Sequence, residues 1–153
     1  MAGDDFIFNV AKGRTRTLSE LTGNQGLVWV LLQSTGLEAD SVLEDYDTLA
    51  ALLAASNTEA TFTNYARTPV ASPSGSVDDA ADEWVLAAAV LQILAAGQGT
   101  DNLLHKALIC HDPDTTTGTD TDVIPVAAYD ITVQTDGSDL TFTPSSTGLY
   151  AAT

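Results

Sequence analysis

Apolar positions in this chain fall into short runs separated by polar connections rich in threonine and aspartate, a pattern of strands and turns. Leu27-Val28-Trp29-Val30-Leu31-Leu32 is an unbroken apolar run with β-branched and aromatic members. It predicts a central strand buried on both faces, with Trp29 as a core anchor. Ala107-Leu108-Ile109-Cys110 and Val123-Ile124-Pro125-Val126 are two further runs, too short for helices and suited to buried strands. The acidic, threonine-rich segment 111–122 joins them, and Pro113 and Gly118 punctuate it, so it belongs at the surface. Ile131-Thr132-Val133-Gln134 and Leu140-Thr141-Phe142-Thr143 alternate strictly on either side of Asp136-Gly137. That dipeptide favours positive φ and predicts a hairpin. Residues 6–10 predict a first strand and 148–151 a last one. Residues 60–67 show threonines and aromatics at strand spacing, and 72–76 read as a loop.

Helical periodicity is clear once. Leu43, Tyr46, Leu49, Ala50, Leu52 and Leu53 form an apolar stripe, with Ser41 or Asp47 as cap and Asn57 as stop. Glu44, Asp45 and Asp47 suit the positive end of its dipole and read as helix-start residues, not as an acid/base pair. Residues 18–23 predict a helical turn. Residues 82–97 are ambiguous: acids first, then alanines and leucines, then Gly97, which local rules read as a helix. The alternative is a strand over 83–89. Together these elements predict a mainly β fold, a compact β-sandwich or squashed barrel of about seven strands with one α-helix at about 41–56. One domain spans residues 1–153, with an N-terminal segment (1–16) able to extend from it.

Charge changes the picture more than composition does. Twenty-one acids face five bases, a formal net charge of −16. Such a field repels nucleic acid and anionic lipid, so neither is an expected partner, although simple solubility accounts for the charge equally well. The most apolar window, 84–96, falls short of the roughly 20 residues needed to cross a bilayer, and no signal-peptide pattern opens the chain. The single cysteine, Cys110, lies in an apolar run and reads as a small, inert, buried hydrophobe.

Candidate chemistry is sparse. Asp112, Asp114, Thr116 and Asp120 have the alternating spacing of calcium ligands, but Thr117 replaces the glycine and Val123 the glutamate that such a loop requires. A solvated turn without metal is expected. His105 and His111 have no metal-ligand spacing with Cys110, and Cys110 and His111, being adjacent in a strand, point to opposite faces. Gly97-Gln98-Gly99 lacks the residues of a phosphate-binding loop, and no nucleophile elbow is present. The chain is therefore expected to have no catalytic residues, no cofactor and no enzyme activity. Lys12, Arg14 and Arg16 place three of the five bases at alternate positions, on one face of an extended backbone. They read either as internal partners of surface carboxylates or as a contact patch for an acidic chain. With the aromatics beside them, Phe6, Phe8, Lys12, Arg14 and Arg16 are the expected partner-contact residues.

Four blocks carry a family resemblance: Asn9-Val10-Ala11-Lys12-Gly13-Arg14; residues 34–40 running into 45–53; Asp112-Pro113-Asp114-Thr115-Thr116; and Asp136-Gly137-Ser138-Asp139. As a set and in this order, they resemble small structural proteins of tailed bacteriophages. After Asp78-Asp79 the chain departs from that pattern, with alanines and leucines where polar alternation is expected; the resemblance still favours strand over 83–89. It implies a non-enzymatic virion protein, foremost a head decoration protein that binds the capsid exterior and stabilises it. Its partners would be the major capsid protein and further copies of itself, as a homo-oligomer on the particle, after synthesis in the bacterial host cytoplasm. A neck, tail or fibre-associated virion protein is the alternative, and a stand-alone binding module or small enzyme a third reading.

Overall fold

The computed structural model describes residues 5–87, 90–97 and 102–143, and the backbone of 150–152. Its elements in chain order are β1 (Phe6–Ile7), α1 (Thr15–Ser19), β2 (Gly26–Gln33), α2 (Asp40–Leu43), α3 (Leu49–Ala54), β3 (Thr68–Pro69), β4 (Ser74–Asp78), β5 (Glu83–Ala87), β6 (Leu91–Ile93), β7 (Leu103–Asp112), β8 (Ile124–Gln134), β9 (Leu140–Phe142) and β10 (Tyr150–Ala152). The main sheet has the order β1-β8-β7-β2-β3, a second sheet the order β10-β5-β4, and β6 pairs with β9. All the pairings are antiparallel. The fold is mainly β and sandwich-like, with few and short helices.

The unbroken apolar run of β2 has a simple cause. Leu27, Trp29 and Leu31 enter one core, while Val28, Val30 and Leu32 enter another on the opposite face. The first core is closed by Leu18 of α1, Leu86 of β5, Leu91 and Ile93 of β6 and Leu140 of β9. The second is closed by Phe8, by Leu43 of α2 and by Leu49 and Leu52 of α3. A sheet covered on both faces needs apolar residues at odd and even positions alike. Trp29 is 1% exposed, with its ring edge-on to Phe142 at 5.2 Å and tilted against Tyr129 at 6.1 Å.

The β7/β8 hairpin carries two register shifts, between Leu104 and Lys106 and between Ile109 and Cys110. The second lies opposite Pro125, which has no N–H to give to a ladder and is tolerated inside a sheet at such an irregularity. The first changes the facing of β7. Leu104 and Ala107 belong to the first core, whereas Lys106 is turned to the face of Leu108, Cys110 and α2.

Several local expectations give way to tertiary contacts. The helix expected at about 41–56 is divided into α2 and α3. Thr48, and neither Ser41 nor Asp47, caps α3: its backbone is extended and its hydroxyl accepts the Ala51 N–H at 3.2 Å. The Leu49 and Ala50 N–H groups bond to the Val123 and Asp120 carbonyls, so the chain restarts a helix where the end of the 111–122 loop and the residue after it supply acceptors. Asn57 does act at the stop, donating to the Leu52 carbonyl at 3.1 Å. Residues 60–67 form a turning loop rather than a strand, with Asn64 at φ 70°. The Tyr65 hydroxyl there accepts the Leu31 N–H at 3.2 Å, standing in for a ladder partner.

The loop expected at 72–76 gives way at Ser74 to β4 (Ser74–Asp78), whose Gly75 lets the Trp84 ring lie against the backbone; a Cβ there would sit 2.1 Å from Cζ2. Residues 83–87 are strand, as the resemblance favoured and against local helix propensity, because β4 and β10 pair with them on either side. Ala88 and Ala89, and Gly148 and Leu149 of the expected last strand, lie outside the described residues. Gly137 takes a positive φ of 95°, as Asp-Gly demands, yet β9 pairs with β6 and does not fold back on β8. The turn is held by the one after β6: the Ala96 N–H bonds to Ser138 O, Gly137 N–H to Ala96 O, and Ala95 N–H to the Asp139 carboxylate. It therefore carries the chain from one sheet across to another.

Replacing Trp29 by Ala should lower unfolding free energy in urea by about 3–5 kcal/mol. In a Trp84→Phe variant the remaining Trp29 should emit as a buried indole and shift to the red on unfolding; solvent-like emission from the native variant would contradict its place in the core.

Candidate functional site

The expected partner-contact residues do not share one extended face. Phe8 is fully buried in the second core, with its N–H on the Val126 carbonyl at 3.0 Å, so its burial serves its own domain and not a partner. Phe6 is half-buried, its ring 5.1 Å from that of Phe8. After Ile7 the chain turns: Ala11 and Lys12 N–H groups bond to the Phe8 carbonyl and Arg14 N–H to that of Ala11. Lys12, Arg14 and Arg16 thus leave the alternating register an extended strand would give. Lys12 donates to Asn9 at 2.7 Å and stands 3.6 Å from Glu44. Arg16 pairs with Glu20 at 2.7 Å, one helical turn on, and lies over the Trp84 ring at 5.2 Å. Arg14 is exposed and forms no ion pair among the described residues. The two pairs are exposed and worth little, so both bases can exchange partners.

The 111–122 loop borders a polar cleft of about 270 Å³ lined by Arg67, Asp112, Asp114, Asp120 and the intervening threonines. Its organiser is Arg67, which sequence reasoning left unremarked. The guanidinium grips Glu59 through Nε at 2.8 Å and a terminal nitrogen at 2.7 Å, and Asp120 at 2.5 and 2.9 Å. Four of its five N–H donors are thereby engaged. Tyr65 donates to the same Glu59 carboxylate at 2.8 Å. The Arg67 charge beside it holds Asp120 below the usual carboxylate range, and the two carboxylates raise Arg67 in turn.

Asp114, one of the possible calcium ligands, accepts hydrogen bonds from the Thr116 hydroxyl and N–H and the Thr117 hydroxyl, which lower its pKa from 3.8 to about 2. Asp112 accepts the Asp114 N–H at 3.0 Å. The three carboxylates are spent on the loop's own donors and on Arg67. No group of His, Cys, Asp and Glu placed to hold a metal occurs among the described residues.

Cys110 is fully buried in the second core, and burial pushes its thiol up. His111 occupies the neighbouring β7 position. Burial lowers its pKa, the Arg14 charge adds to that and Asp112 opposes it. Its Nδ1 is buried with no hydrogen-bond partner, and it makes no nucleophile pair with Cys110.

A second cluster was also missed. Lys106, its side chain 3% exposed, places Nζ 2.7 Å from Asp40 of α2 and in direct contact with Asp130, its register partner on β8, with the Phe6 ring centroid 5.2 Å away. A lone base inside the apolar stretch 103–110 was the available signal. Comparison with known families, characterised proteins and solved structures finds no match.

Replacing Arg67 by Met should cost about 2 kcal/mol at neutral pH, discounted for the partial exposure of the cluster. Asp120 and Asp114 have folded pKa values below their ordinary one, so their stabilisation is present above about pH 4 and is lost as pH falls, through about 2 for Asp114. Urea unfolding at stepped pH should therefore show stability falling on acidification, with a shallower fall in Arg67→Met. Because the loop carboxylates already hold donors, neither EDTA nor added calcium should move the melting temperature of the wild-type chain.

Proposed function

We propose that this chain is a non-enzymatic structural component of a tailed-phage virion, a decoration protein bound to the capsid exterior through the major capsid protein and neighbouring copies of itself. The observation that carries this reading is the convergence of three of the four blocks that resemble that family. Asn9, in the first block, bonds through its N–H to the Glu44 carbonyl at 2.8 Å and through its side chain to Asp45 at 2.6 Å, where the second block resumes after residue 40. The second block contains α3, whose first turn bonds to the loop that begins with the third. Segments far apart in the sequence thus build one layer over one face of the main sheet. The net charge of −16 favours the outside of a DNA-filled head over its interior.

Purified particles test the reading directly. A copy number near that of the major capsid protein, with density on the outer shell, is the expected result; a few copies at one vertex would mean a neck or tail part instead. The basic segment remains the proposed contact, through Arg14 above all, with Lys12, Arg16 and the edge of Phe6. Changing Lys12, Arg14 and Arg16 together to Ala should shift the melting temperature little, since the pairs lost are exposed, and should reduce occupancy on particles. Unchanged occupancy would exclude this segment as the contact.

A further inference from the structure

The Lys106 cluster is not explained as an ordinary ion pair. One ammonium is taken out of water between two carboxylates, Asp40 and Asp130, beneath the half-buried Phe6 ring. Its three N–H donors meet one Asp40 oxygen and one Asp130 oxygen. The other Asp130 oxygen, Oδ2, is buried and has no hydrogen-bond partner. A carboxylate oxygen shut away from water without a donor is strongly unfavourable, and the remaining attraction offsets that only with good geometry throughout. The surplus of donors and the buried negative charge on Asp130 both disappear if the amine and the carboxyl become one amide. An amide at this place is uncharged and keeps a single N–H, for which Asp40 is the acceptor already in position. It also keeps one oxygen from Asp130 in place of two.

We propose that Lys106 and Asp130 condense within the folded chain into an isopeptide bond between β7 and β8, with Asp40 as the catalytic residue. The fold supplies the proximity that such a reaction needs. The two residues are opposite one another in the antiparallel ladder, and the register shift after Leu104 turns Lys106 to the Asp40 face. Nζ, on a side chain 3% exposed, and the Asp130 carboxylate are held in contact, so the encounter of amine and carboxyl is already made. Asp40 takes one proton from Nζ, freeing its lone pair. The amine attacks Asp130 Cγ, forming the N–C bond, and the tetrahedral adduct breaks one C–O bond. That oxygen leaves as water with two of the three Nζ protons, one of them passed through Asp40, which ends as the carboxylate it began. No oxidant, reductant or activated donor enters. The Arg67 cluster has the same alternation of charge but cannot react this way, since a guanidinium stays protonated in proteins.

The test is the intact mass of the full chain under denaturing conditions, followed by proteolytic mapping. The wild-type chain should be lighter than its sequence by one water, with the peptides bearing Lys106 and Asp130 recovered as one branched species. Asp40→Asn, which keeps the shape of the side chain but not its basicity, should have its full sequence mass. Asp130→Asn offers a second check, since the same attack on a carboxamide expels ammonia, and that variant should be lighter by one ammonia. A wild-type chain at full mass would overturn the proposal, whether or not either variant folds. So would a water loss that maps to Asp136-Gly137, where an aspartyl-glycyl sequence can cyclise on its own backbone, or one that persists unchanged in folded Asp40→Asn.

Discussion

The main sheet has two apolar faces, and most of the molecule follows from the need to cover both. Residues of β2 alternate between two cores without a polar position between Leu27 and Leu32, so neither face can be left to solvent. One cover is built from α2, α3 and the turn that begins at Phe8. The other is assembled from α1, β5, β6 and β9, elements drawn from distant parts of the chain. The departure of β9 from β8 is part of this arrangement. Had residues 131–143 closed as a simple hairpin, Leu140 would have lengthened the main sheet instead of covering it.

What could be read from the sequence was what depends on neighbours in sequence. The apolar runs of β2, β7 and β8 are legible because double-sided burial leaves an unbroken signal. Gly137 was legible as a turn, since positive φ is a local demand, but where its two flanks go is not a local matter. The helix at 41–56 shows the same division: its stripe is real, yet the acceptors that start α3 at Leu49 belong to a loop some seventy residues on. Residues 60–67 have strand composition, but a tyrosine hydroxyl takes the place of the backbone partner that a strand would have needed. The Lys106 cluster was the least accessible of all. Which face that side chain takes depends on a register shift that no periodicity announces.

In a chain this acidic the few bases act as fasteners. Lys12 joins the N-terminal turn to α2, Arg16 closes one turn of α1, Arg67 ties residues 59–67 to the acidic loop, and Lys106 joins β7 to both α2 and β8. Their surroundings grade their roles. The first two are exposed and weak, the third is half-sheltered with four of its five donors engaged, and the fourth is sealed inside. Only the exposed ones, with Arg14, keep a charge that another molecule could reach.

The short outer strands of the main sheet bear on how copies of this chain meet. β1 and β3 are each two residues long, and β3 includes Pro69, which has no N–H to offer. Neither presents a length of open backbone on which a neighbouring chain could extend the sheet. In the second sheet, β4 is an exposed edge, but Asp78, Asp79, Asp82 and Glu83 crowd its far end with like charge. Backbone-to-backbone growth into fibres is thus discouraged at each of these edges. Contacts between copies fall to side chains, whose pairing is selective and reversible, and crowded molecules can stay discrete where a bare strand would recruit the next.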